Sequence, residues 1–294
     1  MKSKHLLMGV VIAATTLTTS MLLVACSKNN NTDELAASGT QNVSLYLTDG
    51  PGRYDKVVLD IKSVEVVVDT SKDTRKHDHS NWDTIGKHGP KPDSALVWQS
   101  LQVQAGLYDV LQLRNGIDTL LASSSIVAGN VRLIRINLGN NSSVTKDSVT
   151  YPITLPTNAD AAIVLKLKGN EFEQYAQKRH RLWLDFDVQR SIIELPNQVF
   201  VLRPFLKTFV ASATGSISGS VAPREARPVI SVFNSSDSAY AIPQQGGMFK
   251  IRGLKDGTYQ VHVFATNGFK DTTINNVVIS NAGNVNLNRI ELHK

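Results

Sequence analysis

Residues 181–188 read RLWLDFDV, and this strict alternation constrains the fold more than any other stretch. A β-strand sends successive side chains to opposite faces, so a period of two sorts them into two sets. Leu182, Leu184, Phe186 and Val188 form the apolar set; Arg181, Trp183, Asp185 and Asp187 form the other. The same period recurs in NVSLYL through Val43, Leu45 and Leu47, in VRLIRINL through Ile134, Ile136 and Leu138, and in IVLKLKG through Ile163, Leu165 and Leu167. KVVLDIKSVEVVVD is dense in β-branched residues, which suit a pleated, half-buried surface. VFVLRPFLKTFV closes the region. Helical periodicity is weak, and a short turn around YDVLQLRNG, ended by Gly116, is the best helical segment. Many strands with turn residues between them predict an all-β chain of β-sandwich type.

The N-terminus has a different character. MKSKH is a short positive head, and the apolar, threonine-softened stretch LLMGVVIAATTLTTSMLLVA follows it. Such a segment reads as a secretory signal peptide, with a membrane-spanning helix as the competing reading. The single cysteine of the chain, Cys26, ends that stretch. Leu23-Val24-Ala25-Cys26 resembles the lipobox of bacterial lipoproteins. The resemblance implies that the Cys26 thiol receives a diacylglycerol, that residues 1–25 are removed, and that the new amine is acylated, for instance by palmitate. Two or three acyl chains anchor stably where one does not. With no second cysteine there is no intramolecular disulfide and no cysteine zinc site. Residues 26–40 are polar and read as a flexible tether. Ser27 follows the cysteine, and by resemblance to lipoprotein sorting rules this points to the outer membrane of the cell envelope.

The formal net charge is +6, two charges of which come from Lys2 and Lys4 ahead of Cys26. The remaining basic residues are spread along the chain without a run, so the charge reads as solubility and not as a nucleic-acid interface.

Two folded domains in tandem are expected. Residues 214–294 contain GGMFKIRGLKDGTYQVHVF. Gly247, Phe249, Ile251, Gly253, Leu254, Gly257 and Tyr259, with Val261 and Val263, resemble the carboxypeptidase-regulatory-like, or transthyretin-like, β-sandwich. Phe249 and Ile251 lie two apart and share a core face, and Tyr259, Val261 and Val263 line the next strand's buried face. The resemblance implies an accessory module without peptidase chemistry. Over residues 41–211, VSLYLTDGPGRYDKVVLDIKSVEV, GLYDVLQLRNG, IRINL and LWLDFDVQRSII resemble the domain-of-unknown-function family 4382 of bacterial envelope lipoproteins, which implies no known activity.

Residues 70–95 have no period and are expected to form a long surface loop. His77, His79 and His88 stand there beside Asp78 and Asp83, a donor set for a transition metal. An H-x-H in a loop has no fixed geometry, so a solvated loop is the better reading and no metal is assigned.

The acidic residues are the candidates for chemistry. Asp185 and Asp187 share a strand face, their Cα atoms roughly 6–7 Å apart, with Trp183 on the same face. Asp49 sits in the TDGPG turn. These side chains suit calcium, a sugar stacked on Trp183, or the acid and base of a glycosidase. The plainer reading is an outward strand face whose charges pair with Arg181 or Arg190. No Ser-His-Asp order, G-x-S-x-G elbow, P-loop or H-E-x-x-H is present.

Asp followed by Ser or Thr and a small or aliphatic residue recurs, giving Thr84, Ser94, Thr119, Ser148, Ser238 and Thr272 as acceptor positions. The pattern is similar to the O-glycosylation acceptor of Bacteroidota envelope proteins, while Asp-Ser and Asp-Thr also favour turns for their own reasons. Three functions follow. The first is a non-catalytic, lipid-anchored envelope protein that binds a glycan or a protein. The second is a structural or adhesive surface protein with a spacer module. The third is a polysaccharide hydrolase using Asp185 and Asp187.

Overall fold

The structure is a computed structural model that describes residues 39–72, 77, 79–88, 95–155, 161–168 and 171–294, all of which lie in one compact unit. The signal segment 1–25, Cys26, nearly all of the tether and Ser94 lie outside the described residues. The all-β sandwich architecture expected from the alternation is the one observed.

In the N-terminal sandwich the strand Thr40–Gly50 lies between Thr119–Val127, antiparallel, and Arg179–Asp187, parallel. Strand Lys56–Asp69 is the hub of the facing layer and pairs with Leu96–Val103, Gly106–Asp109, Asn130–Leu138 and Ser143–Lys146. Its fourteen residues, eight of them Val, Leu or Ile, make this strand long enough to serve four neighbours. One apolar core takes Val43, Leu45, Leu47, Leu182, Leu184 and Phe186 from one layer and Leu59, Ile61, Val64, Val66, Ile134 and Ile136 from the other. These are the faces that the period of two selects.

Pro204 separates the strands Val199–Leu202 and Leu206–Phe209, because proline donates no backbone hydrogen bond to a ladder. The turn near YDVLQLRNG is a 3-10 helix, Val110–Leu113, followed by Gly116 at φ +86°.

The C-terminal sandwich has a core of its own, built on Ile217, Val232, Phe249, Ile251, Tyr259, Val261 and Val263. Its three-stranded sheet centres on Gly215–Ala222, between Met248–Leu254 and Asn284–Glu291. Its four-stranded sheet runs in the order Ser238–Ala241, Val229–Phe233, Gly257–Phe264, Thr272–Ile279.

Residues 70–95 depart from the expected surface loop. They contain an α-helix, Trp82–His88, whose Ile85 packs with Val67, Leu96 and Leu133 in a small satellite core. Asn81 accepts from the Thr84 amide at 3.2 Å and so caps the helix start. A seven-residue helix is too short to show two turns of apolar repeat, and only tertiary packing makes it visible. No helix among the described residues is long and apolar enough to cross a membrane.

Phe186 is fully buried at the centre of the N-terminal core. Phe186→Ala should cost about 3–5 kcal/mol of stability, read from the urea midpoint, whereas Leu120→Ala, at an exposed position, should change it by less than about 0.5 kcal/mol.

Candidate functional site

The strand Arg179–Asp187 carries the acidic candidates, and its second face is largely covered, with Asp185 and Asp187 half-buried. Trp183 is only 5% exposed. Its ring stacks on Tyr46 at 5.1 Å and on Phe209 at 5.9 Å, and its indole N–H donates to Asp118 at 2.9 Å. Trp183 is therefore a buried wedge and not an open platform for a sugar, which corrects the outward-facing reading. The alternation placed Trp183 opposite the core correctly. What covers that face is the C-terminal sandwich, and a period of two cannot tell solvent from a second protein layer.

The cover is specific. Gly253, in the strand Met248–Leu254, has φ +74°, and a β-carbon there would come within 2.9 Å of the Phe209 ring. Glycine is required on both counts. Arg252 lies over Trp183 and Phe209, its guanidinium carbon 5.7 and 5.5 Å from the ring centres. It also donates to Asp118 at 2.7 Å and to the Gly116 carbonyl at 3.2 Å. Asn115, held at φ +57°, donates to the Ile242 carbonyl at 3.1 Å and accepts from the Lys250 amide at 3.3 Å. Lys207 donates to Asp237 at 2.6 Å and to the Ser238 carbonyl at 2.8 Å. Each of these bonds joins the two sandwiches, so the candidate face is a seam.

Asp185 and Asp187 are brought together there but placed in different circumstances. Asp187 caps the helix Val188–Ser191, accepting from the Arg190 amide at 2.9 Å, and pairs with the Arg190 guanidinium at 2.6 Å. Asp185 sits opposite Lys207 across the strand pair, yet the Lys207 amine is committed to Asp237. Among the described residues Asp185 has no hydrogen-bond or ion-pair partner. Burial, and after it the Asp187 carboxylate, pushes the Asp185 carboxyl up to about 6, while Lys207, Arg190 and Arg252 pull the other way.

The cavity that both carboxylates line has a volume of about 40 Å³, enough for one or two waters. Arg190, Lys207 and Arg252 line it too. With Arg114 and Lys250, five cationic side chains border so small a space, and they oppose a calcium ion. A larger opening of about 490 Å³ adjoins Asp185, but Asp187 does not border it. Asp49 lies within the strand Thr40–Gly50, its Cα paired with Phe186, and not in the turn expected for it. Arg181 pairs with Glu173 at 2.8 Å and not with the strand's aspartates.

The histidines do not converge. His77 is buried against Asp69, its Nδ1 3.1 Å from the carboxylate, while His79 and His88 are exposed. Asp69 also pairs with Arg132 and accepts from the Ser71 amide and hydroxyl. Burial would raise its pKa, but the bonds from Ser71 and His77 outweigh that and hold it below the usual range. No group of three or more potential metal ligands occurs among the described residues. Asp78 lies outside them.

Of the acceptor positions, Thr84 and Ser148 are exposed, and Thr119, Ser238 and Thr272 are half-buried. Their aspartates have local roles. Asp147 and Ser148 form a turn with φ +51° and +66°, Asp118 and Asp237 hold the seam, and Asp271 accepts from the Ala265 amide.

The sequence from residue 40 to residue 204, more than half of the chain, matches the family model described as a domain of unknown function, DUF4382. The chain belongs to the DUF4382 family. No curated protein matches it. Among solved structures it is similar to the cohesin–X-dockerin complex of Acetivibrio cellulolyticus, at 20% identity and TM-score 0.23 over 26% of this chain and 56% of that one. It is also similar to the shaft pilin SpaA of Lactobacillus rhamnosus GG, at 12% identity and TM-score 0.22 over 86% and 97% of the two chains. The Bacillus anthracis TIE protein aligns at 8% identity and TM-score 0.23, over 86% of this chain and 35% of that one. The description of the family names no activity.

Two measurements test the DUF4382 seam. The Asp185 carboxyl titrates near 6 when folded and near 3.8 when unfolded, so the folded state binds more protons between those values and its stability falls as pH rises through them. Asp185→Asn should thus be more stable than the parent at pH 7.5, by up to about 3 kcal/mol, and the difference should vanish below about pH 4 in urea titrations. Gly253→Ala should lower stability by about 1–3 kcal/mol, since it sets a side chain both at positive φ and against Phe209.

Proposed function

We propose that this DUF4382 protein is a non-catalytic lipoprotein of the bacterial cell envelope, anchored through Cys26, whose two joined sandwiches present a binding surface to a glycan or a partner protein. The observation that carries this reading is the use made of the carboxylates. Asp118, Asp187 and Asp237 each hold a cation at or beside the seam. Asp185 and Asp187 meet only in a space of about 40 Å³, whereas ligand pockets run to about 300–1,000 Å³. A glycosidase needs both carboxylates on one accessible substrate. Asp187 is taken up by the helix start and Arg190, and the space it shares with Asp185 is too small for a sugar, which argues against hydrolysis.

The lipobox Leu23–Cys26 and the polar segment after it support export and anchoring, with the outer membrane as the destination. The motif around Gly247–Tyr259 supports a transthyretin-like accessory module in residues 214–294. A structural or adhesive role is the second reading, and the polar bonds and stacked rings across the seam favour it. They fit a body that transmits position and does not open and close.

Feeding an alkyne-bearing palmitate to a diderm bacterium that expresses the full chain should label the protein, and Cys26→Ala should abolish the label. Equal labelling of the two would sink the anchored reading. Purified chain should release no reducing sugar from a panel of polysaccharides, and sustained release lost in Asp185→Asn would restore the hydrolase.

A further inference from the structure

A second opening along the seam has cations on its border but, among the described residues, no carboxylates. It has a volume of about 570 Å³ and is bordered by Arg53, from the segment after the first strand of the N-terminal sandwich, and by Arg224 and Arg227 of the C-terminal one. All three arginines are exposed. Elsewhere Arg181, Arg190, Arg252 and Arg289 each hold a carboxylate, but Arg53, Arg224 and Arg227 hold none among the described residues. Among the described residues no Asp or Glu borders the opening, and Glu225, between two of the arginines in sequence, does not line it.

The geometry points to this cleft as a binding site for an acidic polysaccharide. The assignment rests on the envelope-binding reading above and gives it a location and a ligand class. Guanidinium groups recognise planar or tetrahedral anions through paired N–H donors, and they shed water more readily than ammonium groups. Three of them without counterions along one opening match a polymer with repeated carboxylate or sulfate groups. The Gln244 side chain, which has no partner among the described residues, adds an amide donor and acceptor of the kind sugar hydroxyls need.

The site is held in shape. The 3-10 helix Arg224–Ala226 buries Ala226, whose carbonyl accepts from the Thr266 amide at 2.8 Å and from its hydroxyl at 3.1 Å. Arg227 follows in the left-handed region at φ +45°, its amide donating to the Arg224 carbonyl at 2.9 Å. Fixed backbone on both sides lowers the ordering cost of binding.

Other ligand classes fit less well. No aromatic ring among the described residues lines the cleft, so a neutral sugar finds no stacking platform there. Pro228 and Pro243 flank the strands Val229–Phe233 and Ser238–Ala241 and offer no amide hydrogen, so a peptide added in extended form finds no donors at these positions.

The test uses the full chain in detergent micelles, with immobilised polygalacturonate, chondroitin sulfate, dextran and polyglutamate as probes in biolayer interferometry. The chain should bind polygalacturonate or chondroitin sulfate, the two arms separating carboxylate from sulfate recognition, and should not bind dextran. Binding should weaken as salt rises from about 50 to about 500 mM. The Arg224→Gln, Arg227→Gln double variant should lose affinity by about tenfold or more, and adding Arg53→Gln should lower it again, with an unchanged melting temperature. Equal binding by the variants, equal binding of dextran, or preference for polyglutamate would overturn the assignment. Polysaccharide binding that survives the arginine changes would sink the cleft but leave the glycan-binding reading. Arginine-dependent binding together with an unacylated Cys26 would sink the anchored reading alone.

Discussion

A carboxylate drawn away from water must be given a cation, a set of hydrogen-bond donors or a proton, and the strand Arg179–Asp187 carries two that are half-buried. Its apolar face is fixed by the N-terminal core, so its other side chains must go wherever the sheet's second face goes. That face lies under the C-terminal sandwich. Asp187 is satisfied by a helix start and Arg190, and Asp118 by Arg252 and the Trp183 indole. Asp185 alone is left to its surroundings, and its raised pKa is the consequence.

The stack Tyr46–Trp183–Phe209 turns that electrostatic arrangement into a shaped joint. Flat rings accept a flat neighbour, and the backbone at Gly253 supplies one because it has no β-carbon. Arg252 then does three things at once: it covers two rings, pairs with Asp118 and binds a carbonyl. Half-buried pairs of this kind are screened less than exposed ones, and they set register as well as energy. The joint has a reach beyond itself. Arg53 belongs to one sandwich and Arg224 and Arg227 to the other, so the spacing of the basic cleft is set by how the seam closes.

Away from the seam, polar sequence features resolve into local structure. The recurrent aspartates before Ser or Thr are turn formers, amide acceptors or ion-pair members where the structure describes them. Asp69 and His77 tie the start of the 70–95 segment to the end of the hub strand, and Arg132 completes the buried cluster. A stretch without periodicity is thus partly ordered, because a buried carboxylate gathers donors from residues nearby in space.

The sequence by itself determined the all-β class, the apolar sets Leu182–Leu184–Phe186 and Val43–Leu45–Leu47, and the inward Phe249, Ile251, Tyr259, Val261 and Val263 of the C-terminal sandwich. These follow from a period of two, which depends on neighbours along the chain. The short helix Trp82–His88 was not legible, since seven residues carry too little repeat. The fate of Trp183, Asp185 and Asp187 was legible only in part. Alternation said that they oppose the core, but exposure depends on residues far away in sequence, at 237 to 254. The basic cleft was not legible at all, because Arg53 and Arg227 are separated by most of the first sandwich and only its folding brings them to one opening. Local pattern decides which way a side chain points from its strand; what it meets there is decided by the packing of one sandwich on the other.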